Sequence, residues 1–278
     1  MILILKQSSD TCMKRIRFAR KIITTLLQDR TQYRGRLFVD TMSLIARCSV
    51  LLVLYYYVFE LKGGEVNGTP FILIAWSMLF YFIFMTFRLR DISREIMRDV
   101  QSGTVEILFS KPVSYIAYKI WWQIGSGIYS FLVAVVVGSI ALMSIVGIPS
   151  TMSIVSFVPT LLIVLVGGIL LSLLIYTIVG LLSFWIEEVS PIFWIVDKAV
   201  MILGGSYLPI ALFPDFMYKL ALYSPFGASQ FVTHTVYEPW QSNWYVLVGI
   251  QYTWVLVLSI VTLIMFTYAR QKVSVNGG

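Results

Sequence analysis

The sequence predicts an all-α polytopic membrane protein with six transmembrane helices, an N-terminal amphipathic interfacial helix, and both termini in the cytoplasm. Three observations carry this. Of 278 residues, 58% are hydrophobic and 13% charged, with a mean hydropathy of +0.83. An ordinary soluble domain is about 45–50% apolar and about 25% charged, so no water-soluble packing of this length hides so much apolar surface. A soluble enzyme, a soluble nucleic-acid-binding domain and a disordered chain are thereby excluded. Secondly, the 67 residues from Ile120 to Ile186 contain no Asp, Glu, Lys or Arg. Thirdly, the scarce basic residues are gathered into a few segments.

Residues 1–36 read as a cytoplasmic tail. Ile16, Ala19, Ile23, Leu26 and Leu27 recur at helical spacing over residues 13–34 and share one face, with Lys14, Arg17 and Lys21 on the other. Such a helix lies in the interface, its basic side toward anionic headgroups. A helix that crosses a bilayer needs about 20 predominantly apolar residues. Within residues 37–270, spans are expected at about 38–61, 69–88, 117–146, 155–185, 190–211 and 244–268. Gly147-Ile148-Pro149-Ser150 divides the charge-free run into the third and fourth of these. The apolar runs are continuous, whereas a β-barrel needs short alternating strands. Residues 89–116 then form a cytoplasmic loop, and residues 212–243 an external segment with a short helix.

Orientation follows from the basic residues. Nine of the 21 lie in the tail, six (Arg88, Arg90, Arg94, Arg98, Lys111 and Lys119) in or beside the 89–116 loop, and Arg270 and Lys272 at the C-terminus. Only Lys62 and Lys219 fall on the opposite side, with Arg47 and Lys198 inside spans. The net charge of +7 is therefore an orientation signal for a multi-pass protein of the cell membrane. The lipid bilayer is the partner it implies, and no nucleic acid is expected. No signal peptide is expected, since Met1–Leu5 is too short for its apolar core. Two cysteines, Cys12 and Cys48, and a single histidine make no metal set. His234 is expected at the surface of the external segment.

The 89–116 loop is the most informative stretch. Asp91–Val100 mixes charges as a solvated helix continuing out of the second span does. Ser102-Gly103-Thr104 interrupts it and supplies small polar groups that start a new helix. Glu106 falls in that helix's first turn, where negative charge suits the dipole, and Pro112 stops it. Ile107, Leu108 and Phe109 are left on a short helix, either meeting a partner or dipping back into the interface.

Gly103-Thr104-Val105-Glu106-Ile107-Leu108-Phe109-Ser110-Lys111-Pro112-Val113-Ser114, preceded by Asp99, resembles a segment of the ABC-2 type permeases. These are the membrane subunits of a class of ATP-driven ABC exporters, and their segment reads acidic-x-x-x-Gly-Thr-x-Glu-x-Leu-x-x-x-Pro-x-Ser. A second stretch is similar to the family's exit from its fifth span. There Leu203-Gly204-Gly205-Ser206 leads through Pro209, Phe213-Pro214 and a short helix to Ser224-Pro225-Phe226. The resemblance covers about residues 13–270. It implies that Ser102, Gly103, Thr104, Val105, Glu106, Leu108, Phe109, Lys111 and Pro112 dock into a separate ABC ATPase subunit. The helix bearing Ile16, Ile23, Leu26 and Leu27 would flank that contact. Glu187 and Glu188, between the fourth and fifth spans, would add a smaller one. A second permease copy or homologue would complete a dimer that moves a lipid, drug or hydrophobic metabolite outward.

The chain has no Gly-x-x-x-x-Gly-Lys-Ser/Thr and no Gly-Lys pair. Its length leaves no room for a fused ATPase domain. ATP and Mg are accordingly expected on the partner subunit, and no cofactor on this chain. Phe80 and Phe84 line the pathway if the second span is used as in the family, and are lipid-facing bulk otherwise. Asp197 and Lys198 lie about 10 Å into the fifth span by helical rise, where they either pair or face water. A secondary transporter or channel using such carboxylates is the alternative function. Intramembrane nucleophilic or zinc chemistry is disfavoured, because Gly-x-Ser-x-Gly and His-Glu-x-x-His are both missing. Ser126, Ser130, Ala134 and Gly138, spaced by four and echoed by Gly168 and Ser172, let another helix approach closely, from the same chain or from a dimer partner.

Overall fold

The computed structural model describes residues 20–28, 34–66, 68–110, 114–149 and 154–276. Helix α1 covers residues 20–28 and α2 Arg34–Leu61. A two-residue antiparallel hairpin, Glu65–Val66 with Thr69–Pro70, leads into α3 (Phe71–Met85). Next come α4 (Asp91–Gln101), α5 (Thr104–Phe109), α6 (Tyr115–Ile145), α7 (Ile154–Leu181) and α8 (Ser190–Leu203). The chain finishes with α9 (Asp215–Tyr223), α10 (Pro225–Ala228), α11 (Glu238–Ser242) and α12 (Trp244–Asn276).

Among the described residues, four stretches are long and apolar enough to cross a membrane: Thr41–Leu61, Tyr115–Ile145, Phe157–Phe184 and Trp244–Lys272. The third, built on α7, has 56% of its membrane-length window buried, against 22%, 17% and 17% for the others. Helix α7 is thus the central post. Helices α2, α6 and α12 turn apolar side chains such as Val50, Leu132 and Leu256 outward, where lipid is their natural solvent.

Helices α3 and α8 are shorter than the spans at 69–88 and 190–211 that the sequence suggests. Their 15 and 14 residues reach about 22 and 21 Å, less than the ~30 Å of a bilayer's hydrocarbon core. Helix α3 ends in a tight turn in which Arg88 takes a φ of 52°. The turn is clamped by the buried Gln123, whose Nε2 donates to the carbonyls of Phe87 and Arg88 at 3.2 and 3.0 Å. It also needs Gly127, where a Cβ would stand 2.6 Å from the Phe87 oxygen. Helix α8 ends at Gly204-Gly205. Gly204 lies against the Gln230 side chain, and Gly205 takes a φ of 83°.

Residues 212–243 do not hang free of the helices, because part of the segment packs against α3, α7 and α12. Pro214 precedes α9, and Pro225 starts α10, whose Ser224 hydroxyl accepts the Gly227 N–H at 3.2 Å. Residues 227–237 are all buried. Ser77 Oγ donates to the Thr233 carbonyl at 3.0 Å, and Gln251 Nε2 to the Ala228 carbonyl at 2.8 Å. Gly168 admits the segment, since a Cβ there would meet the Ser229 oxygen at 2.8 Å. His234 is therefore fully buried, its ring edge-on to Phe231 and Trp240. Desolvation pushes its pKa down to about 3, which keeps the imidazole neutral. The small-residue ladder is used within the chain: Gly138 packs on Leu79 of α3, and Gly168 on Phe84 and Ser229.

Candidate functional site

Helix α4 is not a solvated continuation of α3. Ile92 and Ile96, four apart, make one apolar face with Ser93 and Met97, and that face is buried. It lies on α7 at Gly180, where a Cβ would stand 2.9 Å from Ile96 Cβ. The charged residues of α4 then reach the neighbouring helices. Lys119 of α6, its side chain only 9% exposed, sits 2.8 Å from Asp99 and 3.4 Å from Glu95. Tyr115 donates its hydroxyl to Asp99 at 2.8 Å. Lys119 is thus a tie between α4 and α6 as well as a basic residue of the loop. Arg94 stacks over Phe193 and Trp194 of α8 at 4.7 and 5.4 Å. Arg90 lies 3.4 Å from Asp197 of α8, whose carboxylate is fully buried and also accepts Tyr176 Oη of α7 at 3.1 Å. Charged contacts therefore join α4 and its N-cap residue Arg90 to α6 and α8, and Asp197 in turn joins α8 to α7.

Burial raises the pKa of Glu95, and the nearby Lys119 only partly opposes this. A carboxyl whose folded pKa lies above its unfolded one binds protons more readily in the folded state, so it favours folding at low pH and loses that contribution as pH rises through the folded pKa. Glu95→Gln is accordingly expected to unfold at the same temperature as wild type at pH 7, or higher, with the difference shrinking as the pH is lowered. Thermal unfolding in detergent at pH 5 and pH 7 measures this. A variant several degrees less stable at pH 7 would show that the charge is favourable.

Helix α5 starts at Gly103, which has a φ of 71° that L-residues rarely adopt. Ser102 closes α4, and its hydroxyl lies 2.8 Å from that of Thr104. The helix divides its side chains. Val105 is buried, and Leu108 and Phe109 are half-buried. The Phe109 ring meets Tyr115, Phe184 and Phe266 at 5.3, 6.2 and 5.6 Å. Ser102, Gly103, Thr104, Glu106 and Ile107 face outward, with Ile107 65% exposed. Of the apolar residues, Phe109 packs on this chain's own helices, whereas Ile107 is left exposed. Lys111 and Pro112 lie outside the described residues.

Glu187 and Glu188 are exposed on the same face, joined to α4 by Gln101 Nε2 donating to the Glu187 carbonyl at 3.3 Å. Hydrogen bonds from Ser190 hold the Glu188 carboxyl below the usual range. Beside them Trp185 and Ile186 are exposed, two apolar residues the sequence reading passed over. Their signal was position, at the very end of the charge-free run. On the flank, Leu26 of α1 is buried and Ile23 and Leu27 half-buried, with Leu26 and Ile23 packed on Gly125 of α6. Ile16 lies outside the described residues.

The remaining singled-out residues scatter. Phe80 is packed between Trp76 and Phe157. Phe84 borders a small cavity of about 20 Å³ with Ser172, Tyr176 and Gln230. Asp197 and Lys198 diverge, the first inward to Arg90, the second exposed beside the Trp194 ring. Gly204, Gly205, Pro209, Pro214 and Pro225 shape the turns that carry the chain from α8 to α10.

Residues 45–277 match the model of a protein family described as ABC-2 family transporter protein. No curated protein matches the chain.

Proposed function

Because the chain belongs to the ABC-2 family of transporter proteins, we propose that it is the permease subunit of an ABC exporter in the cell membrane. In this reading both termini and the α4–α5 face lie in the cytoplasm, where 17 of the 21 basic residues fall. A separate ABC ATPase subunit binds ATP and Mg, and docks on α5 and the Glu187–Glu188 turn. A second permease copy or homologue completes the pathway for a lipid, drug or hydrophobic metabolite moving outward.

The observation that carries this reading is the outward face of α5, with Ile107 exposed at its centre and Glu106 beside it. Movement of α5 by a partner passes to α4, and from α4 through Lys119, Arg94 and Arg90 to α6 and α8. The alternative of a carboxylate-driven carrier gains nothing from Asp197, whose oxygens already accept from Arg90 and Tyr176.

The test is co-purification with an ATPase subunit and ATP-dependent transport in vesicles. Ile107→Glu places a charge at the centre of the proposed contact and is expected to weaken assembly roughly tenfold or more, while the isolated permease unfolds at its usual temperature. Proline cannot adopt the φ of Gly103, so Gly103→Pro is expected to abolish coupling of hydrolysis to transport. Transport without ATP, or unchanged assembly in Ile107→Glu, would overturn the reading.

A further inference from the structure

A cavity of about 310 Å³ opens where α2, α3 and α6 meet the turn into α4. Its walls are mixed. Leu44, Phe82, Met85 and Ala134 are apolar, Thr41, Thr86 and Ser130 bring hydroxyls, and Arg47, Arg88, Arg90 and Arg94 bring four guanidiniums. Among the described lining residues the carboxylate is Asp91, 3.7 Å from Arg94, and Asp197 stands 3.4 Å from Arg90. Arg47 bonds instead to the neutral oxygens of Ser43, its Nε to the carbonyl at 3.1 Å and its Nη2 to the hydroxyl at 2.9 Å. Its charge meets no carboxylate among the described residues.

Two further features bear on what fits. Arg88 is the one non-glycine residue with positive φ among the described residues, and Gln123 and Gly127 hold it there. Such a conformation persists only where the surroundings impose it. Here it aims the backbone so that Arg88 borders the cavity. Arg47 lies six residues into the Thr41–Leu61 span, hence about 9 Å from its start along the helix. That places guanidiniums beside apolar walls near the membrane surface, the arrangement that takes a charged headgroup with its chains alongside. Guanidinium forks match phosphate oxygens in geometry as well as charge.

We propose that this arginine-lined cavity binds a phosphate-ester anion, with the guanidiniums on the phosphate and the Leu44–Phe82–Ala134 wall on its apolar portion. The phosphate comes from a phospholipid headgroup or from a soluble phosphate ester. Binding requires no ATPase partner, so the proposal stands or falls separately from the transport reading.

The experiment uses the full-length permease in detergent. Thermal unfolding is followed on adding phosphatidylglycerol, phosphatidylcholine or soluble glycerol phosphate, and native mass spectrometry counts retained lipid. Phosphatidylglycerol is expected to raise the unfolding temperature by several degrees and to remain bound, with phosphatidylcholine much weaker. A shift from glycerol phosphate alone supports the phosphate site and assigns its source to solution. Arg47→Gln and Arg88→Gly are each expected to weaken the response at least tenfold. Glycine suits the φ at position 88, so Arg88→Gly removes the guanidinium without loading the turn, and Arg47→Lys keeps the charge without the fork. No shift in any arm, equal response to phosphatidylcholine, or an undiminished response in the Arg47→Gln, Arg88→Gly double variant would overturn the proposal.

Discussion

Asp197→Ala is expected to destabilise the folded chain by about 2–4 kcal/mol. Its carboxylate is fully buried and serves Tyr176 and Arg90 together. Alanine leaves the buried Tyr176 hydroxyl without its acceptor. Arg90, whose side chain is 34% exposed, recovers part of its loss through water, which keeps the effect below that of a fully enclosed pair. Asp197→Asn retains an acceptor for Tyr176 and should cost less. Tyr176→Phe should cost only about 1 kcal/mol. Because both side chains act on one carboxylate, Arg90→Ala added to Asp197→Ala should do less damage than the two single changes summed. Thermal unfolding in detergent measures all five variants, the Arg90→Ala single change included. Additive losses would mean that Arg90 and Asp197 do not interact in the folded protein.

Gly227→Ala has the other large effect. A Cβ at this position would stand 2.0 Å from the Ala221 carbonyl oxygen and 2.7 Å from its carbon. Both are backbone atoms, so no side-chain rotation relieves the overlap, and α9 and α10 must separate. A loss of about 3 kcal/mol is expected, at the upper end for overpacking, together with a fall in the yield of folded protein. Gly249→Ala on α12 is the control, because nothing lies within 4 Å of a Cβ there. It should change stability by no more than about 1 kcal/mol, toward stabilisation. Equal behaviour of the two variants would contradict the packing of α10 against α9.

Helices α2, α6, α7 and α12 were legible in the sequence because a lipid-facing helix needs nothing but length and apolar composition. Where α3 and α8 end was not. The turn at Arg88 depends on Gln123 and Gly127 of α6, and the turn at Gly204 on Gln230, all distant in sequence. The burial of 227–237 was hidden for a related reason. Its Ser, Gln, Thr and His residues look like those of a wet loop, yet the segment is held by bonds such as those of Ser77 and Gln251 to its carbonyls. The α4–α5 break was legible through Gly103, whose φ only glycine adopts easily. Which side of α5 faces out was not, because Ile107 and Phe109 are two apart on a six-residue helix and periodicity gives no sign of which is buried. Lys119 counted as a loop charge until its partners Glu95 and Asp99, 24 and 20 positions away, came within reach.

The shortness of α3 and α8 bears on how the chain enters the bilayer. A helix of 14 residues containing Asp197 and Lys198 is a poor substrate for insertion on its own, since each such charge costs about 2.5–3.5 kcal/mol near the membrane centre. Helix α3 has the apolar composition but not the length. Each follows a long helix in the chain, α2 before α3 and α7 before α8. Insertion of each pair as a hairpin is the expected consequence, the long member threading first and the short one packing against it. The 227–237 segment can gain the bond from Gln251 of α12 to the Ala228 carbonyl only after α12 is made. Until then Ser77 and Gly168, which the segment covers, lack that cover.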